Sequence, residues 1–337
     1  MIARKAFSVA WVGLLALVPS VAFAQLATGS LGLGSSGSPF TMTLSPSYPA
    51  PNTSATLSFV STSGLDLSNA TLTVAENGTH IYSGSAQTIA VPVGAAGALS
   101  TIRATITSNG TSYTQTLALR PQDVSLVLEP LSSAPPLYPG KPLVPAAGEV
   151  RVVAVANLRT NAGVQVNPTT LSYSWTMDGV RLANFSGIGK DALLAAAPLQ
   201  YRSHTISVVV QSQDGALVGG GSVTFESADP TLLLYDDDPL LGILFDHALS
   251  GTYALTGTES TLYAAPYSLP TSGSPSSVQW FVNESAAQTG PLLTVRPVGQ
   301  GAGTASISAT EAAGPYTTAA ANLTVTFGTT TSSFLGL

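Results

Sequence analysis

Leu171, Tyr173, Trp175 and Met177 alternate with Ser172, Ser174 and Thr176. A strand with one buried face has this period of two, and the Asp178-Gly179 that follows is a hairpin turn signal. The pattern recurs in Val278-Gln279-Trp280-Phe281-Val282-Asn283, 105 residues on, and in Leu72-Thr73-Val74-Ala75-Glu76-Asn77-Gly78, 101 residues earlier, with Val74 at the Trp position. One domain type used three times is the expectation.

Taken in order, the alternation predicts strands at 56–60, 71–75, 101–107 and around Leu117 and Leu119 in a first module, residues 39–121. In a second module, residues 122–228, it predicts 124–128, 150–156, 171–177, 205–211 and 222–225. In a third, residues 229–328, it predicts 231–235, 261–265, 278–282, 304–310 and 323–327. Asn77-Gly78 and Asn109-Gly110 are strong hairpin signals. Short strands at regular spacing in units of about 100 residues predict an all-β chain of three tandem immunoglobulin-like β-sandwich domains. Pro121 and Pro230 mark short junctions, so limited bending and an elongated molecule are expected.

Composition adds a compartment. Charged residues make up 8% of the 337 residues, against about 25% in ordinary soluble domains; Ser, Thr, Ala and Gly fill the outward positions instead. Arg4 and Lys5, the apolar run 6–22 and Ala22-Phe23-Ala24 before Gln25 read as a signal peptide over 1–24, set against an uncleaved membrane anchor, for which the run is barely long enough. Residues 25–38 read as a Gly/Ser linker and 329–337 as a tail. Without Arg4 and Lys5 the chain carries nine basic against 17 acidic residues, a net charge of −8. That balance leaves no footprint for nucleic acid or anionic lipid. No second apolar run reaches spanning length, so no membrane insertion is expected after cleavage. The absence of cysteine removes disulfide staples, thiolate catalysis and Cys-ligated zinc.

At Tyr173 to Gly179 and Val278 to Asn283 the chain resembles bacterial immunoglobulin-like and PKD-like modules, whose central strand carries a Trp and ends in an Asp/Asn-Gly turn. Of the Gly-Asp-Gly group of PKD modules, Asp178-Gly179 is present. With Leu44 to Pro49, Pro135 to Pro142, Leu233 to Pro239 and the Phe334-Leu335-Gly336-Leu337 end, the chain also resembles exported multi-module surface proteins of small-genome bacteria. The resemblance implies a place in the envelope or in a surface appendage such as a pilus.

Candidate chemistry is sparse. His80, His204 and His247 fall in separate modules, with no nucleophile motif or metal spacing beside them. Asp236, Asp237 and Asp238, with Asp246 and Asp229 nearby, form the densest carboxylate cluster. Calcium is the cofactor it raises, set against an ordinary polar turn. Three overlapping PxxP units span Pro136 to Pro145, either a polyproline ligand or a loop shielding a sandwich edge. Asn52, Asn69, Asn77, Asn109, Asn184, Asn283 and Asn322 open glycosylation sequons. Tyr48, Tyr138, Tyr263, Tyr267 and Tyr316 are exposed-ring candidates for stacking on sugars.

The expected function is therefore non-enzymatic, with no catalytic, cofactor or metal residues assigned: a structural spacer of the cell envelope or an appendage, partnered by other envelope proteins or surface glycans. The alternative is a carbohydrate-binding or adhesion module. A binding module should show a contiguous aromatic platform on one sheet face, and a spacer polar Ser/Thr faces throughout.

Overall fold

The computed structural model describes residues 38–273, 277–298, 301–314 and 317–328. The expected leader at 1–24, nearly all of the expected linker, the expected tail and Tyr316 lie outside them. Residues 40–119 form strands β1 (Phe40–Ser45), β2 (Ser54–Ser61), β3 (Thr71–Glu76), β4 (Thr79–Ser85), β5 (Ile89–Pro92), β6 (Ser100–Ser108) and β7 (Thr111–Leu119). They make two sheets, β1-β2-β5 and β4-β3-β6-β7. Alternation decides what lies between them: Leu72 and Val74 on β3 and Ile102, Ala104 and Ile106 on β6 are fully buried and pack with Phe40 and Leu57.

The middle unit repeats this order. Strands β8 (Asp123–Pro130), β9 (Glu149–Asn157) and β13 (Ala192–Ala196) form one sheet. The other holds β10 (Ser172–Met177), β11 (Val180–Arg181), β12 (Gly187–Ile188), β14 (Ser203–Gln211) and β15 (Val218–Glu226). In the third, β16 (Thr231–Asp238), β17 (Gly242–Ile243), β19 (Ser260–Tyr267) and β22 (Leu292–Val295) face β18 (Gly251–Ala254), β20 (Gln279–Val282), β21 (Ser285–Thr289), β23 (Gly303–Ala312) and β24 (Thr318–Phe327). Setting aside the additions β12, β17 and β18, each unit has its first, second and fifth strands in one sheet and its fourth, third, sixth and seventh in the other. That is an immunoglobulin-like sandwich in which the fourth strand pairs beside the third, as in fibronectin-III domains, and not beside the fifth, as in immunoglobulin constant-type domains. The chain is three such sandwiches in tandem, with no α-helix among the described residues.

The Trp strand is the centre of each core. Trp175 and Trp280 are buried, and Val74 occupies their place on β3. An indole buried in a core needs a partner for its N–H. Trp175 Nε1 donates to the Lys190 carbonyl at 2.9 Å and Trp280 Nε1 to the Gly290 carbonyl at 2.8 Å. Both acceptors lie on the connection toward the opposite sheet, so each Trp ties its two sheets together.

The turn after that strand is also repeated. Asn77, Asp178 and Asn283 have φ of 49°, 50° and 47°, followed by Gly78, Gly179 and Glu284, also left-handed. Two consecutive positive φ values make the hairpin turn whose twist matches its strands. In each case the Asx backbone N–H donates to the carbonyl of a residue beside it on the sixth-strand side, Thr101, Thr205 or Ser306. The Asx side-chain oxygen then accepts that same residue's N–H, at 2.8, 2.8 and 2.9 Å.

Candidate functional site

The residues singled out from sequence are for the most part kept apart. His80 is exposed on β4. His247 is exposed beside Asp246, 3.3 Å away. His204 is different: its Nδ1 lies 2.6 Å from Asp178 Oδ2, and its ring packs edge-on to Phe225. That pair joins the Asx turn to β14 across 26 residues.

The three aspartates diverge because successive strand residues point to opposite faces. Both oxygens of Asp236 are engaged on the core side, by the hydroxyls of Tyr253 and Ser260. Asp238 Oδ1 accepts the N–H groups of Leu240 and Leu241, which hold its carboxyl below the usual range. Asp237 faces the other side of the sheet. Among the described residues no three acidic or histidine side chains gather at metal-binding distance. The sequon asparagines are all exposed, and Asn77 and Asn283 use Oδ1 in the turn clamp.

The proline segment pairs at both ends: Ser132 bridges to Pro270 and Pro145 to Ala228. It thereby makes the joint between the second and third sandwiches. Ser133 N–H donates to the Leu269 carbonyl at 2.8 Å, Leu269 N–H to Ser133 Oγ at 3.0 Å, Ser268 N–H to the Ser133 carbonyl at 3.0 Å and Thr271 N–H to the Leu131 carbonyl at 3.0 Å.

The joint between the first and second sandwiches is closed by other means. Gln122 opens the second sandwich and is buried there, its Nε2 donating to the carbonyl and its Oε1 accepting the N–H of Arg159 in the same sandwich, which fixes the loop that meets the first. Gly97 N–H donates to the Pro121 carbonyl at 2.9 Å. A Cβ on Gly97, at φ +82°, would stand 2.4 Å from the Thr160 carbonyl oxygen, and one on Gly220 would stand 2.6 Å from the Tyr48 ring. Only glycine lets these backbones approach so closely. Tyr48, expected as an exposed ring, is therefore half-buried at this joint. Strand β8 runs from the first joint, after Gln122, to the second, before Leu131, so the outer sandwiches sit at opposite ends of the middle one.

The remaining tyrosines come together on the outward face of the β16–β19 sheet. Tyr235 and Tyr263 are directly opposed partners, and Tyr267 lies four residues further along the same face. The Tyr235 and Tyr267 hydroxyls are 2.8 Å apart. Phe245 caps Tyr235 and Tyr263 at centroid separations of 5.1 and 6.0 Å, while Tyr138 of the proline segment meets Tyr267 at 5.6 Å with the rings 81° apart. Five aromatic rings thus run continuously from the tip of β16 to the second joint. Tyr235, though outward-facing, is only 4% exposed beneath them. Burial, then the hydrogen bond with Tyr235, pushes the Tyr267 hydroxyl well above its ordinary range. Elsewhere the outward faces carry hydroxyl pairs: Thr105 with Thr114, Thr107 with Ser112, Thr205 with Thr224 and Thr261 with Thr294.

No protein-family model and no curated protein matches the chain. Among solved structures it is similar to the central fibronectin-III array of RIM-binding protein, at 9% identity and TM-score 0.29, covering 87% of this chain and 97% of that one. It is similar to Sidekick-1 immunoglobulin domains 1–5 at 12% identity and TM-score 0.30, covering 83% and 56%. For the three N-terminal domains of the outer capsid protein Hoc of bacteriophage RB49 the figures are 12% and 0.23, covering 86% and 99%. The fold is defined by the strand order described above, independently of these likenesses.

Proposed function

We propose that the chain is a non-enzymatic exported spacer, a structural component of the cell envelope or of a surface appendage. The observation that carries this reading is the interlocked pair of joints. Tandem domains on free linkers reorient by default, whereas here glycine-notched contacts seat the first sandwich on the second and hydrogen bonds join the second to the third, at opposite ends of the middle one. Such a chain holds its ends apart. Thr/Ser hydroxyl pairs on outward faces fit a surface with 8% charged residues, while the run of rings from Phe245 to Tyr138 on the β16–β19 face favours the second reading, a carbohydrate-binding or adhesion module. Separation of the three histidines among the sandwiches supports a role without catalysis. Export rests on the leader sequence, and among the described residues no helix is long and apolar enough to cross a membrane.

The test is fractionation of producing cells into cytoplasm, envelope, sheared appendages and medium, followed by immunodetection. Recovery from any fraction other than cytoplasm, with residues 1–24 removed, supports the reading. Retention in the cytoplasm with the leader intact overturns it.

A further inference from the structure

The second joint encloses a groove of about 380 Å³, within the size range of small-molecule sites. One wall is the proline segment, with Tyr138, Lys141 and Leu143; the other is the outward face of the third sandwich, with Leu233, Tyr267 and the junction residue Asp229. The four hydrogen bonds of the joint hold the two walls together, so the groove exists before any ligand arrives, which lowers the ordering cost of binding.

Tyr138 is both fixed and open. Its ring folds back over Gly140, where a Cβ would stand 2.7 Å from the ring carbons, and abuts Tyr267, yet it remains 42% exposed. A ring held in one orientation without being covered is a stacking platform. The polar groups around it are balanced. Among the described residues Lys141 makes no hydrogen bond or ion pair, and Asp229 uses one oxygen for Gln200 Nε2 at 2.7 Å while its other oxygen has no hydrogen-bond partner. One cation and one anion cancel, so an anionic ligand would meet Asp229 and a cationic one Lys141. A purely apolar ligand would strip both of water without replacing those bonds. What fits is a neutral ligand with an apolar face for the ring and hydroxyls that donate to Asp229 and accept from Lys141.

We propose that this groove binds a neutral oligosaccharide, with a sugar ring stacked on Tyr138 and its hydroxyls bridging Lys141 and Asp229. The binding role is additional to the spacer role: a rigid rod that binds no sugar remains a spacer, so the two fail separately. An open groove with one stacking ring predicts weak binding, with a dissociation constant on the order of 1 mM per site.

The experiment titrates the full chain with hexasaccharides of β-1,4-glucose, α-1,4-glucose, β-1,4-N-acetylglucosamine and β-1,4-mannose, and with an anionic oligogalacturonate, up to about 10 mM, by saturation-transfer NMR and calorimetry. At least one neutral probe is expected to bind saturably. Tyr138→Ala and Lys141→Ala should each weaken it, the former about tenfold, without changing Tm. Tyr201→Ala, at a tyrosine 89% exposed and outside the groove, should leave it unchanged. Absence of binding by every neutral probe, preference for the anionic one, or binding unaffected by Tyr138→Ala would overturn the proposal.

Discussion

Asp178 clamps the middle sandwich through both carboxylate oxygens: Oδ1 accepts the Thr205 N–H at 2.8 Å, and Oδ2 lies 2.6 Å from His204 Nδ1. In the outer sandwiches asparagine makes only the first of these bonds, so the clamp is shared and the charge is particular to the middle unit.

The Thr205 N–H and then His204 hold the Asp178 carboxyl below its ordinary value. A group whose folded pKa is depressed contributes stability above its unfolded pKa, about 3.9, and that stability is lost as pH falls through the folded value. Asp178→Asn should keep the turn, as Asn77 and Asn283 do. It should cost less than about 1 kcal/mol at pH 7, the side chain being half exposed, and flatten the loss of stability below pH 4. Asp178→Ala should cost more, about 1–2 kcal/mol, because the Thr205 N–H loses its side-chain acceptor. Urea denaturation from pH 2 to 7 reads both.

Glu311 has the opposite sign. It sits on the core-facing side of β23 with Oε2 buried and without a hydrogen-bond partner among the described residues, and burial raises its carboxyl. A raised carboxyl penalises the folded state once ionised, so stability should fall as pH rises from the unfolded value through the folded one. Glu311→Gln is expected to stabilise the third sandwich at pH 7 and to leave it unchanged near pH 4. A destabilising effect at pH 7 would show that the ionised carboxylate is satisfied in the fold.

Trp175→Ala and Trp280→Ala should each cost about 3–5 kcal/mol through the cavity and the unpaired carbonyl they leave. In the first variant the remaining core fluorophore is Trp280, so its emission reports the third sandwich alone. Far-ultraviolet dichroism should then show the middle sandwich melting earlier than that emission changes. Near-native stability of either variant would place its indole outside the core.

Gly97→Ala and Gly220→Leu act on the first joint. Each drives a side chain into a backbone carbonyl or a ring, and at Gly97 it adds a left-handed φ at about 1–2 kcal/mol. Either should leave both sandwiches folded but loosen their attachment, seen as a broader inter-module distance. Tyr48→Ala should do so without any new clash.

The three Trp-position strands lie where alternation places them, but β1 and β13 were missed although Phe40 on the one and Leu193 and Ala195 on the other are buried. Strands lacking a buried face left no such signal. All of β21 is exposed and β4 has no buried residue, so no period of two distinguishes them from loops; β5 and β22 are four residues long. The Asp178–His204 pair and the run of rings from Phe245 to Tyr138 are tertiary, set by register across 26 residues in one case and by the docking of the proline segment in the other. Tyr263 and Tyr267, four apart on a strand that also alternates Leu262 and Ala264, did carry a local signal for one aromatic face. Its partner Tyr235 was hidden in a run of leucines that reads as wholly buried.

Rigid joints are tested most directly by spin-label distances. The chain has no cysteine, so Thr79→Cys with Arg181→Cys, and Arg181→Cys with Gln288→Cys, label exposed positions on β4, β11 and β21, the corresponding fourth strands of successive sandwiches, without background. Interlocked joints predict a single narrow distance distribution for each pair, and a broadening of the first pair alone when Tyr48→Ala is added. Broad distributions for both pairs in the unmodified background would contradict the spacer.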